Sequence, residues 1–432
     1  MESISLERGL KFLIVDTDGL LSDLVWRLYR EGHHIKMYIK SSTEQDIVDG
    51  LAEKVENWED YIDWADVIVF SDVGFGKKQE ELREAGYLVI GGSSLEIGEI
   101  DRLVGEELLK KYNVGVIPDS EKFTDFDAAI DYIKRNPARY VIKPNGKAEN
   151  DKELTYVGHF EDGRDVIYML EKYKEKYKYK PNFQLQKFVD GIEIAVGAYF
   201  DGEDFIDGSI NVNFEHKKMM PGDTYVTTGE VGTLLFFTDR NNKLFKELEK
   251  IKPALQQTGY IGVVDINFIV NETGAYPLEF TLRFGYPATS IEMENFDGDF
   301  GEFLYNLAKG RKPDWKRFAN YSMGVVIFLP PFPFDSEPNF EKLTANLPIF
   351  ADIDNNSSIH IGDLKYEDGV WKVAGASGYA LVVCATANDI YEVIDKTYSL
   401  IKEIYIPNMG YRNDVGQRVI KALPKLKELG YI

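Results

Sequence analysis

The sequence predicts a multidomain α/β and α+β protein that opens with a doubly wound parallel sheet. Strand and helix signals alternate over residues 11–100, the pattern of parallel strands joined by crossover helices. At 432 residues, with 44% hydrophobic and 13% aromatic side chains, the chain exceeds one ordinary core and has apolar material for several. A different pattern stands at residues 259–289: two adjacent strands with a short turn, each carrying one acid in an otherwise apolar run.

In order, KFLIVD (11–16) reads as a buried strand and LLSDLVWRLYREG as a helix ending near Gly32. HIKMYIK (34–40) and ADVIVFSD (65–72) are the next strands; a helix from Lys77 to Ala85 leads to YLVIGG (87–92). Sheets of this kind bind ligands at the carboxyl ends of their strands. The loop from Asp16 to Ser22 lies there, and Asp16 and Asp18 would repel a phosphate; a loop-and-cap role for both acids is the alternative. RYVIKPNG (139–146) and NFQLQKFVDGIEIAV (182–196) read as strands, and EKYKEKYKYKP (171–181) as a solvated helix ending at Pro181. The last third, with MGVVIFLPPFPF and GVWKVAGASGYALVVCATA, reads as a small β-rich domain.

A net charge of −22 argues against a nucleic-acid partner, which would need a basic face. The single cysteine, Cys384, sits in an apolar run and excludes a disulfide within the chain, which suits a reducing cytoplasm. No apolar window reaches the length of a membrane span, and the start lacks a signal-peptide pattern. The expected partners are small molecules, and the expected state is a monomer or homodimer.

The paired strands carry the chemistry. GVVDINFIV bears Asp265 and AYPLEFTLRF bears Glu279, with the turn at 271–274. Strand side chains alternate, so adjacent strands can set two acids on one face. Like charges held out of water need a cation, and a hard divalent ion such as Mg²⁺ (or Mn²⁺) suits oxygen ligands. Arg283 follows Glu279 by an even number of residues and is expected on the same face. Acids, metal and arginine together suit phosphoryl transfer. A sheet with one solvated face fits the same spacing.

This arrangement resembles the metal-binding end of the ATP-grasp ligases, and LEFTLRFGYP resembles the EFNxRFGDPE segment of the phosphoribosylamine–glycine ligases. Thr281 stands in place of that family's Asn, Tyr286 in place of Asp, and Ala288 in place of Glu. The resemblance implies a Rossmann-like domain over 1–100, an ATP-grasp domain over 101–315 with a lid about 120–190, and a C-terminal domain over 316–432. It implies a metal on Asp265, Glu279 and Thr281, and ATP phosphates on Arg102 and Lys143. It also implies a flap over 146–151 that includes Lys147, an adenine contact along Gln186, Lys187 and Val189, and a ribose contact at Glu193.

A second match, NFEHKKMMPGDTYVTTGEVGT, implies catalytic Lys217 and Asp223 beside Arg283, and substrate contacts from His216, Thr228 and Gly229. A structural role is the alternative for His216. The terminal YRNDVGQRVIKAL adds Arg412 as a substrate contact. The implied function is ATP-dependent ligation of a carboxylate to an amine through an acyl phosphate, as in purine biosynthesis, with either the family's own substrates or an altered amine or amino acid. A retired ligase that only binds nucleotide or metabolite is the alternative.

Overall fold

Short apolar runs bounded by Gly, Asp and Ser build the first sheet. In the computed structural model the described residues are 9–145, 154–177, 181–334 and 336–432. The first elements are β1 (Lys11–Asp16), α1 (Ser22–Arg30), β2 (His34–Ile39), β3 (Glu53–Lys54), β4 (Val67–Phe70), α2 (Gly76–Glu84) and β5 (Val89–Ile90). Then come α3 (Arg102–Lys111), β6 (Ser120–Phe123), α4 (Phe126–Arg135), β7 (Tyr140–Pro144), β8 (Tyr156–Val157), α5 (Arg164–Lys176) and β9 (Phe183–Lys187).

Mostly strands follow: β10 (Ile192–Phe200), β11 (Asn211–Glu215), β12 (Lys218–Met220), β13 (Thr224–Thr227), β14 (Gly232–Phe237), β15 (Gly262–Asn271) and β16 (Gly274–Thr281). The last elements are α6 (Ala288–Asn295), β17 (Tyr321–Phe328), β18 (Ile359–Ile361), β19 (Leu364–Glu367), β20 (Val370–Val373), β21 (Tyr379–Ala387), α7 (Ile390–Ile401), β22 (Gly410–Tyr411) and α8 (Gln417–Leu429).

Contacts divide the chain into two compact units. Unit 1 comprises Met1–Leu95, Ile194–Asp265 and Thr281–Ile432; unit 2 comprises Glu96–Glu193 and Ile266–Phe280. In unit 1 the parallel sheet has the order β3-β2-β1-β4-β5, over a core that includes Leu13, Val15, Ile68, Phe70 and Val89. The chain leaves β1 toward β2 and returns on its other side at β4, so the carboxyl ends of β1 and β4 flank the switch point. A second sheet of unit 1 runs through β10, β11, β14, β17, β21 and β18, with β22 also pairing with β17. Strands from the C-terminal third thus extend the same sheet as β14, and Cys384 on β21 is fully buried.

Unit 2 holds a four-stranded sheet, β6-β9-β7-β8, whose core of Tyr140, Ile142, Phe183 and Leu185 is shared with Phe126, Ile130 and Leu170 from α4 and α5. No described helix is long and apolar enough to cross a membrane.

Two strand expectations need correction. Residues 182–196 are not one strand: β9 and β10 belong to different sheets. The break contains Gly191, where a Cβ would lie 2.6 Å from the Val270 carbonyl oxygen. In addition, β16 ends at Thr281. Period-two alternation therefore does not reach Arg283, and spacing alone does not set its direction.

Candidate active site

β11 reads Asn-Val-Asn-Phe-Glu, so Asn211, Asn213 and Glu215 share one face by alternation. Asn213 Nδ2 donates to Asp265 Oδ2 at 2.8 Å, and Asn211 Nδ2 donates to Glu292 Oε1 at 2.8 Å. In the register of β10 on β11, Gly197 faces Asn211. A Cβ on Gly197 would lie 2.8 Å from Asp265 Oδ2, so the glycine makes room for that carboxylate. Asp265 is 8% exposed, and its Oδ1 has no hydrogen-bond partner. Burial holds its carboxyl well above the usual range; the charge of Glu215 adds to this, and the Asn213 hydrogen bond opposes it.

Glu230 is in the same position. Its residue is half-buried, but its Oε1 is buried and unpartnered. Burial pushes its pKa well up, with Glu215 and Asp265 adding to the shift and Lys217 and Arg283 opposing it. Lys217 is ion-paired with Glu215 at 3.0 Å, and Arg283 with Asp72 at 2.9 Å. A buried carboxylate with an orphaned oxygen, crowded by two more, is a poor resting state for a protein interior. The all-oxygen donor set fits a hard divalent cation, Mg²⁺ or Mn²⁺.

In unit 2 the group drawn out of water is a cation. Lys143 on β7 has its pKa lowered to about 8, by burial first and by Arg102 next; Glu279, Glu106 and Glu193 oppose the shift. Arg102 opens α3, whose first turn is capped by Asp101 accepting from the Leu103 and Val104 amides. The Arg102 Nε donates to the Pro144 carbonyl at 3.4 Å, and Gln184 donates to Glu106 at 2.6 Å. Gln186 is buried on β9, while Lys187 points outward and pairs with Asp119 at 3.0 Å. Val189 lies in the connection between β9 and β10, and Glu193 at the start of β10 is half-buried. Glu279 on β16 is exposed, so only one of the two strand acids is buried. Thr281 closes that strand, half-buried. The expected flap over 146–151, with Lys147, lies outside the described residues.

The segment after β11 is held by a clamp. Arg412 is 1% exposed and donates to Asp414 at 2.5 Å and to the Lys218 carbonyl at 2.8 Å. It also pairs with Asp223 at 2.8 Å. Asp223 and Arg412, both read from the sequence as site residues, thus meet each other and fix the β12–β13 hairpin. Thr228 donates its amide and hydroxyl to the Lys217 carbonyl at 2.7 and 2.9 Å, and Gly229 is exposed. His216 is fully buried with neither ring nitrogen partnered. Its pKa is lowered to about 3, by burial first and then by Arg418 and Arg412, so the ring is neutral. The sequence reading passed over Asn213, Gly197 and Glu230. Alternation in NVNFE and a glycine in the apolar run IAVGAYF were the available signals.

Residues 102–289 match the family model for the phosphoribosylglycinamide synthetase ATP-grasp (A) domain. A bifunctional purine biosynthetic protein of Pichia angusta is 26% identical over 359 residues, covering 80% of this chain and 44% of that longer protein. Phosphoribosylamine–glycine ligase of Clostridium acetobutylicum is 23% identical over 94% of this chain and 100% of its own. The crystal structure of the Thermotoga maritima phosphoribosylamine–glycine ligase superposes with a TM-score of 0.71 at 19% identity, covering 94% of this chain and 100% of that one. The family match over 102–289 and the low-identity similarity along most of the chain show a protein that resembles the ATP-grasp ligases of the phosphoribosylamine–glycine type.

Proposed function

We propose that the chain is an ATP-dependent, ADP-forming carboxylate–amine ligase acting on small molecules in the cytoplasm. The observation that carries this reading is Asp265: buried, crowded by Glu215 and Glu230, and left with an orphaned oxygen. With Glu279 and Thr281 it would hold Mg²⁺, which supplies charge neutralisation on phosphate oxygens. Arg102 and Lys143 would bind the phosphates of ATP, and Glu193 the ribose hydroxyls. The connection through Gln186, Lys187 and Val189 would present backbone groups to adenine.

The γ-phosphoryl group moves from ATP to the substrate carboxylate, giving an acyl phosphate and ADP. Arg283 faces the equatorial oxygens in that step. The amine nitrogen then attacks the carbonyl carbon, the C–N bond forms, the C–O bond to phosphate breaks, and the amine releases a proton. Lys217 neutralises the departing phosphate. The Asp223–Arg412 clamp holds the segment with His216, Thr228 and Gly229 against the carboxylate substrate. An ADP-release assay over a panel of amino acids and amines tests this; no amide with any combination would overturn it.

A second reading, a retired ligase that binds nucleotide without turnover, has one observation in its favour. Both cations assigned to the transferring group are ion-paired within the chain, Arg283 to Asp72 and Lys217 to Glu215. Calorimetry with Mg-ATP separates the two: binding without product favours the second, and amide formation removes it.

A further inference from the structure

The loop after β1 lies at the switch point of the parallel sheet, where doubly wound folds present their strand ends to ligands. Backbone amides gathered there, ahead of a helix, make a ready anion site. In this chain the amides already have their anion. Asp16, the last residue of β1, is 0% exposed. Its Oδ1 accepts the N–H groups of Asp18, Gly19 and Leu20 at 3.2, 3.1 and 3.1 Å, and its Oδ2 accepts that of Leu21 at 2.8 Å. On the β4 side, Thr17 N–H is taken by Ser71 Oγ at 3.2 Å, and the Ser71 carbonyl by the Tyr286 hydroxyl at 2.9 Å. Every amide from 17 to 21 is thereby committed inside the chain.

The surroundings repeat the message. Glu44 and Asp363 are each 8% exposed. Glu44 accepts from the Ala376 amide at 2.9 Å, and Gly375, at φ +66°, leaves no room for a Cβ against it. Asp363 accepts from the Ser377 hydroxyl. The charges that act on these two acids come from other carboxylates: Asp18 and Asp46 on Glu44, and Glu44 and Asp16 on Asp363. A phosphate entering this crevice would meet a filled amide cradle and further buried acids.

We propose that Asp16 is a built-in substitute for a phosphate, so that the amine acceptor of this ligase is an amine that carries no phosphate group. The inference rests on the carboxylate–amine reading for the acceptor being an amine, and on Asp16 alone for the exclusion of phosphate. Asp16 is a specificity-determining residue here, not a catalytic one. Its carboxyl fills the cradle whether ionised or protonated, so the exclusion is steric as well as electrostatic.

Two measurements decide it separately. Hydrogen exchange on the full chain should find the amides of residues 18–21 protected without ligand and unchanged by millimolar inorganic phosphate. In Asp16→Gly the same amides should exchange at least about tenfold faster and be slowed again by phosphate. Added protection of this loop by phosphate in the wild type would overturn the proposal, and the wild-type arm stands even where Asp16→Gly fails to fold. ADP release is then compared for amines that differ only in a phosphate, ethanolamine against phosphoethanolamine and glucosamine against glucosamine 6-phosphate. The phosphate-free member of any pair that is used should be favoured by about a hundredfold or more in kcat/KM; equal or better use of the phosphorylated member overturns the proposal. If no amine supports ADP release, the ligase reading falls, while the exchange result still decides whether the cradle is closed.

Discussion

Asp265 in unit 1 and Lys143 in unit 2 are both charged groups held away from water, and burial moves them in opposite directions. The carboxyl of Asp265 is pushed up, with Glu215 adding negative charge beside it. The ammonium of Lys143 is pushed down to about 8, with Arg102 adding positive charge beside it. A third buried cluster supplies the control. His360 Nδ1 lies 2.7 Å from Asp23 and its Nε2 lies 3.3 Å from Glu294, deep in unit 1. Burial alone would lower its pKa, yet the charge and hydrogen bond of Asp23 hold it well above 6.5. A buried charge that finds its counter-ion within the fold needs no ligand, and this contrast separates structural from functional burial.

The sharpest way to break the comparison is to neutralise the acids. Asp265→Asn and Glu279→Gln should each lower Mg²⁺-dependent turnover by about a hundredfold or more. Asp265→Asn should leave the melting temperature unchanged or raised, because it removes a buried, repelled carboxylate. Wild-type turnover in either variant would remove the metal assignment, and a collapse in melting temperature would mean Asp265 is structural.

Gly197→Ala probes the same site through space. Its Cβ would sit 2.8 Å from Asp265 Oδ2, and overpacking of this kind costs about 1–3 kcal/mol. We expect a lower denaturation midpoint together with a higher Mg²⁺ requirement. A stability loss with unchanged Mg²⁺ response would mean the carboxylate position is not critical.

On the unit 2 side, Lys143→Met should weaken ATP binding by calorimetry about tenfold, the scale of one charge-assisted hydrogen bond, without destabilising the fold. Unchanged affinity would take Lys143 out of the nucleotide site.

The smallest effect belongs to the control. His360 has its pKa raised in the folded state, so its contribution to stability is full below about pH 6.5, the unfolded value. It is lost as pH rises through the higher folded value, with a slope of at most about 1.4 kcal/mol per pH unit. Denaturant unfolding across this range should show that slope in the wild type, and His360→Gln should flatten it. Addition of Mg-ATP should leave the slope unchanged; a slope that shifts with nucleotide would show that this cluster is not self-contained.

Much of the fold was legible along the chain. Burial of KFLIVD and ADVIVFSD follows from their uninterrupted apolar runs, and the helices between them from their spacing, so the parallel sheet could be read locally. The single acids of β15 and β16 were equally plain, because a charge in an apolar run is conspicuous in one dimension. Their environments were not: Asp265 is buried and Glu279 exposed, although both sit in similar sequence. Exposure depends on which elements cover a strand, and those come from distant segments.

The sequence by itself determined the element types, the acidic character, the lone core cysteine and the segments that carry the ligase resemblance, since each depends on neighbours a few residues apart. Tertiary structure alone decided that Asp16 turns inward to its own loop amides, that Asp223 and Arg412 hold each other, that Gly197 makes room for Asp265, and that His360 finds Asp23 and Glu294. The last three pair residues that no spacing rule joins, whereas the partners of Asp16 are local and only the packing decides which way it turns. Asp16 shows why most clearly: an acid at a strand end either faces solvent and repels an anion, or turns in and replaces one. The two outcomes share one local sequence and differ only in the packing around them.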